Sequence, residues 1–407
     1  MPSTLTWLDY SENDRRLALE VIDLFGDKET RDELGLASVR DAFADLFFSG
    51  TSTIQTRARY FLFIPWIYLE LEKREIPSIK ITDTARREEI ALIEALVDSN
   101  DREGIIGIDA RGKLKRLPSN IYWNGLRTWG ILLFGGSQSQ YHRSLDSHYS
   151  ASSNVILDDD KQPLYGGRPC NWHRALPEKP KNFPKVASFQ LTLQEKKYLR
   201  ERILSKAPSS LLAFLVENGR GWDPTKFLWE HPQMGEIPKQ LKEFIWHARN
   251  FSETINGMSL LYNLMLAEEL KETRNPKGLD LEEYRESLLS WASLIKGRMD
   301  EYKRWDLGRF WAIALKSNPR ISTPTRVFID KSISLILELK HPKELTTHGM
   351  ARNMIRDRER FLKGPEARLG NPRALEIWRG WSGSTQIDYR WKVVQNIIAD
   401  LTKPSTQ

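Results

Sequence analysis

Residues 50–72 read GTSTIQTRARYFLFIPWIYLELE. The opening ten carry hydroxyl, amide and guanidinium groups, and most of the rest is apolar around Pro65. At twelve residues the apolar run Tyr60 to Leu71 is too short for a bilayer, which takes about 20. It is expected as buried helix, with Pro65 as a kink or an end. The polar half decides more. If the helix starts at Ser52, it follows a first helix, Leu36 to Phe48, in which Leu36, Val39, Phe43, Leu46 and Phe47 share a face. Two helices joined by Ser49-Gly50-Thr51 have the pattern of a helix-turn-helix. Gln55, Thr56 and Arg59 would then meet DNA, since Gln pairs with adenine, Arg with guanine, and Thr with phosphate or a thymine methyl. The plainer alternative is a helical hairpin with Ile54, Ala58, Phe61 and Leu62 inward and the polar residues in water.

A chain of 407 residues outgrows a single core, so two or three domains are expected. With 40% apolar residues, 14 Trp, 16 Phe and 12 Tyr it has ample material to fold. The formal net charge is +7 and the sequence pI about 9.2, which favours a polyanion or an acidic subunit as partner. One cysteine, Cys170, excludes an intrachain disulfide and fits a reducing cytoplasm. The start, MPSTLTWLDYSENDRR, has no basic-then-apolar leader pattern. A cytoplasmic protein with no membrane segment is expected.

Further helices are expected at residues 11–25 and 82–98, and from Pro118-Ser119 to near Gly130. Residues 104–117 read as two short strands around Arg111-Gly112, and GGSQSQYHRS after Phe134 as a flexible polar loop. Together, residues 105–144 have the outline of a winged helix-turn-helix. Asn120, Asn124 and Arg127, then Gln138, Gln140, His142 and Arg143, would lie along phosphates. The alternative is a small α/β unit cored by Trp123 and Trp129. Periodicity lapses over residues 147–186, which are rich in Pro, Gly, Ser and charge, and returns as near-continuous helix to the C-terminus. The fold class expected is mainly α. A multi-helix N-terminal domain (1–146) with the winged element precedes an irregular connector (147–186) and an all-helical C-terminal domain (187–407).

A third candidate surface is a basic stripe. Arg352, Arg356, Arg360 and Lys363 fall at spacings of four, four and three, so a helix aligns them, and guanidinium forks suit phosphate. Trp378, Trp381 and Trp391 nearby offer stacking platforms or core. Catalytic patterns are weak. Asp330 followed by Glu338-x-Lys340 has the residue types of a metal-dependent nuclease but lies in a stretch whose spacing is equally helical. Cys170 and His173 lack the further ligands of a zinc site. No phosphate-cradling glycine loop is present, so no small-molecule cofactor is expected.

Three phrases, DELGLASVRDAFADLFFSGTSTIQTRARYFLFIPWIY, HARNFSETINGMSLLYNLMLAEE and ARLGNPRALEIWRGWSGSTQIDYRWKVVQNIIADL, carry a resemblance along nearly the whole chain. The chain resembles a family of uncharacterised bacterial proteins known only as a domain of unknown function. The resemblance implies a bacterial defence component encoded near helicase and phospholipase-D-like nuclease genes, and it brings no site residues. The expected function is thus a non-catalytic DNA-binding subunit of an anti-phage system with a helicase or nuclease partner. A protein–protein scaffold and a metal-dependent nuclease are the alternatives.

Overall fold

Apolar spacing of three and four residues governs most of the chain, and it folds accordingly into helices. The computed structural model describes residues 32–99, 101–152, 156–157, 163–165, 170–220, 224–274, 278–378 and 380–403. The helix expected at residues 11–25 lies outside them. In chain order the helices are α1 (Ala37–Phe48), α2 (Tyr60–Lys73), α3 (Ser78–Val97), α4 (Pro118–Thr128) and α5 (Gln138–Ser152). Then come α6 (Leu193–Lys206), α7 (Leu211–Asn218), α8 (Lys239–Thr273), α9 (Leu281–Gly297) and α10 (Met299–Lys303). The last are α11 (Leu307–Ser317), α12 (Thr323–Glu338), α13 (Gly349–Lys363), α14 (Pro372–Glu376) and α15 (Trp391–Thr402). Among the described residues, Ile156–Leu157 and Pro163–Tyr165 form a short antiparallel hairpin pairing Ile156 with Tyr165. The protein is mainly α, as expected, and no helix among the described residues is long and apolar enough to cross a membrane.

The chain forms two units, each drawn from two stretches: residues 1–43 with 243–389, and residues 44–242 with 390–407. We call them the first and second unit. Residues 147–186 fall within the second. In the first unit, the apolar face of α8 contributes Phe251, Ile255, Met258 and Leu261 to a core where Phe43 stacks on Phe310 at 5.4 Å. In the second, α2 is buried along nearly its whole length and packs against α3 and α4. It runs through Pro65, which forfeits one backbone bond, and Phe61 stacks on Trp129 at 3.8 Å.

Three local expectations are corrected. The helix expected from Ser52 begins at Tyr60, and residues 51–59 are irregular. Residues 104–117 form turns and a short 3₁₀ segment, because Gly104 (φ +83°) and Gly107 (φ +78°) turn the chain twice within four residues. The GGSQSQYHRS loop closes into α5. Ser137 Oγ accepts from Gln140 N at 3.2 Å while Gln140 Oε1 accepts from Ser137 N at 2.7 Å, a reciprocal cap that starts the helix. Its fully buried face, Tyr141 and Leu145, has the spacing of a single turn. With no strand pair in residues 105–131 and a helix where the wing was expected, a winged helix-turn-helix does not form there.

Candidate nucleic-acid interface

The stretch expected to read DNA is held inside the second unit by partners far away in sequence. Gly50 sits at φ +85° with Trp129 packed where a side chain would project, and Trp129 Nε1 donates to Ser49 O at 2.9 Å. Gln55, 2% exposed, turns back on this corner. Its Nε2 donates to Gly50 O at 3.3 Å and its Oε1 accepts from Ser52 N at 3.2 Å. Thr56 is half-buried, its N–H on the Tyr122 hydroxyl at 2.8 Å and its Oγ1 donating to Gly104 O at 2.6 Å. Arg59, 6% exposed, donates to Ser188 O at 2.8 Å and to the Glu195 carboxylate at 2.7 Å. These three side chains are engaged within the unit rather than presented to solvent. Backbone that is neither helix nor sheet needs such partners once buried.

Arg57 is the centre of that arrangement. Its guanidinium meets Asp400 through Nε and Nη2 at 3.0–3.1 Å, Asp101 at 2.8 Å and Glu103 O at 3.0 Å, and lies 4.5 Å from the Phe189 ring centre. Asp400 also accepts the Ala58 N–H at 2.8 Å. Burial raises the Asp400 carboxyl above its ordinary value, against the opposing pull of Arg57 and Ala58.

A second polar network lies behind α3. Glu89 is fully buried and accepts from Ser119 N at 2.8 Å and Ser119 Oγ at 2.7 Å. Gln138 Nε2 donates to Ser119 Oγ at 2.8 Å and to the Tyr68 hydroxyl at 2.6 Å, and that hydroxyl lies 3.2 Å from His142 Nε2. Burial lifts the Glu89 carboxyl to about 7 despite both Ser119 bonds. His142, expected along phosphates, is half-buried and belongs to this network.

Of the remaining candidates in this unit, Arg127 is exposed and braces Gly135 O at 3.2 Å and Asn124 Oδ1 at 2.9 Å. Arg143 is exposed on α5. In the first unit α13 does align the expected stripe, but its members face different surroundings. Arg352 pairs with Glu268 at 2.7 Å and donates to Thr346 O. Lys363 turns inward to Glu33, Tyr262 and Glu359, beside Arg368. Arg356 is half-exposed, touching Asn353 at 3.4 Å, and Arg360 is exposed. Trp378 is 5% exposed, Trp391 is fully buried, and Trp381 stacks on Tyr284 at 4.3 Å, so these rings serve as packing.

Asp330 and Glu338 lie eight residues apart on α12, about 12 Å along its axis, so they do not converge on one ion. Asp330 accepts Trp311 Nε1 at 2.6 Å, and no metal-ligating cluster is found among the described residues. Sequence reasoning passed over the exposed cations Lys113, Arg174, Lys181, Lys185 and Lys206 of the second unit. For Lys113, Lys181 and Lys185 the signal is density: residues 111–116 read RGKLKR and residues 179–185 read KPKNFPK.

Residues 2–404 match the model of a family of unknown function, DUF6361. The chain belongs to that family. No curated protein and no solved structure matches it.

Proposed function

We propose that the chain is a non-catalytic DNA-binding accessory subunit of a bacterial anti-phage defence system, working with a helicase or nuclease partner, and that its second unit meets the phosphate backbone. One observation carries the DNA reading. The second unit has 32 Lys and Arg against 24 Asp and Glu, whereas the first has 29 against 30. The positive excess of the chain thus belongs to one unit, which supports a polyanionic partner for that unit. Arg127, Arg143, Lys113, Arg174, Lys181 and Lys185 are the exposed cations assigned to it. The defence setting and the partner class come from the resemblance of the three phrases quoted above.

A salt series tests this. The full chain should bind duplex or single-stranded oligonucleotide at about 50 mM salt and lose about tenfold or more in affinity by about 200 mM, because each neutralised phosphate releases counterions. Absence of binding at low salt, or affinity indifferent to salt, would overturn the reading. The scaffold alternative has its own support in the first unit. Its charge is balanced, and α13 exposes Met350 (65%) and Phe361 (65%), side chains that suit a protein partner.

A further inference from the structure

Tyr198, Arg202 and Lys206 follow one another at spacings of four on α6, so they line one face of that helix. Residues 171–173 are pinned beside this face. Leu133 N donates to Asn171 O at 2.8 Å, Trp172 bridges to Leu132, and His173 N donates to Ile131 O at 2.8 Å. The His173 and Tyr198 rings come within 5.6 Å. Lys206 passes over Gly130, where no Cβ blocks it.

Two polar atoms at this place lack a hydrogen-bond partner among the described residues: His173 Nδ1 and the Tyr198 hydroxyl. Tyr198 is 6% exposed, and buried hydroxyls of this kind are normally hydrogen-bonded. Arg202 and Lys206 make no ion pair among the described residues. Burial first, then the charges of Arg202 and Lys206, depress His173, and Arg202 also acts on Tyr198. Arg202 thus acts on both orphaned groups, and Lys206, lying over Gly130 next to the Ile131 carbonyl that holds His173, acts on His173.

We propose that Tyr198, Arg202, Lys206 and His173 form a phosphate-binding site. The tyrosine hydroxyl donates one hydrogen bond, the Arg202 fork two, Lys206 supplies a point charge, and protonated His173 donates from Nδ1. Water satisfies the orphaned atoms alone, whereas an oxyanion satisfies them and also pairs with the two cations. The same chemistry suits inorganic phosphate, a nucleotide phosphate or a nucleic-acid diester. The site goes beyond the DNA reading and does not depend on it.

Nuclear magnetic resonance of the His173 ring in the full chain tests the site, with inorganic phosphate, a short single-stranded oligonucleotide and sodium chloride at matched ionic strength. The charges acting on His173 are those of Arg202 and Lys206, with Arg174 next in the chain. An anion seated between them should raise the His173 pKa by about one unit or more in phosphate and leave it unchanged in chloride. The Arg202→Gln, Lys206→Gln double variant should abolish that response, and Tyr198→Phe, which keeps the ring packing, should weaken phosphate binding several-fold. An equal response to chloride, or a phosphate response that survives the double variant, would overturn the site. A response to phosphate but not to the oligonucleotide supports a site for small phosphates. A response to both, lost together in the double variant, supports contact with the diester backbone.

Discussion

Replacing Arg57 by Met should cost about 3 to 5 kcal/mol of stability, the usual penalty when one partner of a buried ion pair is removed. Arg57 and Asp400 keep only 15% and 10% of their side-chain surface exposed, so little water is at hand to replace the contact. Without Arg57, Asp400 would retain a single strong donor, the Ala58 N–H, in a place where burial already raises its carboxyl. Adding Asp400→Asn should return much of the loss, because the amide oxygen still accepts from Ala58 and no charge is stranded. Urea unfolding of the two variants against the parent measures both effects. A loss under about 1 kcal/mol for Arg57→Met, or no recovery in the double variant, would mean that residues 51–59 are held by something else.

Glu89 should make the protein less stable as pH rises. Its folded carboxyl lies near 7 and its ordinary value is 4.5, so between these values the native state holds a proton that the unfolded state has lost. Stability then falls with increasing pH through that window, by about 3 kcal/mol once pH exceeds 7. His142 and His247, which burial depresses to about 4, act in the opposite direction and lose stability as pH falls from 6.5 towards 4. The difference between the parent and Glu89→Gln isolates the carboxyl, since glutamine mimics its protonated form. Glu89→Gln should match the parent near pH 4 and exceed it by about 3 kcal/mol at pH 8. Parallel stability curves across that range would contradict the buried ionisable carboxyl.

How far the residues alone disclosed this fold depends on where each segment finds its partners. The face shared by Val39, Phe43 and Phe47 disclosed α1, and the apolar run after Tyr60 disclosed α2, because a helix closes its own backbone bonds. Residues 51–59 have the spacing of a helix but not its conformation. Their N–H groups bond to Tyr122, 65 and 66 residues on, and to Asp400, 342 residues on, and no local pattern announces either. α5 was legible in principle, since Ser137-x-x-Gln140 before Tyr141 and Leu145 is a helix-starting pattern hidden among loop-forming residues. The stripe on α13 was aligned correctly, but alignment does not say which members face a neighbour, and Glu33, 330 residues away, takes Lys363. A total of +7 conceals an excess held by one unit alone, because each unit combines two distant stretches. His173 and Tyr198 are likewise 25 residues apart in sequence, and only the pinning of residues 171–173 brings their rings together.

Charge reversal in the two units, read by oligonucleotide affinity at low salt, tests the assignment of DNA contact to the second unit most directly. Arg174→Glu, Lys181→Glu and Lys185→Glu together should weaken binding by about tenfold or more, and each phosphate deprived of its cation should lower the salt slope by about one. Arg356→Glu with Arg360→Glu in the first unit should change affinity by less than about twofold. The reverse pattern, with the first-unit pair abolishing binding and the second-unit triple leaving it intact, would contradict the assignment.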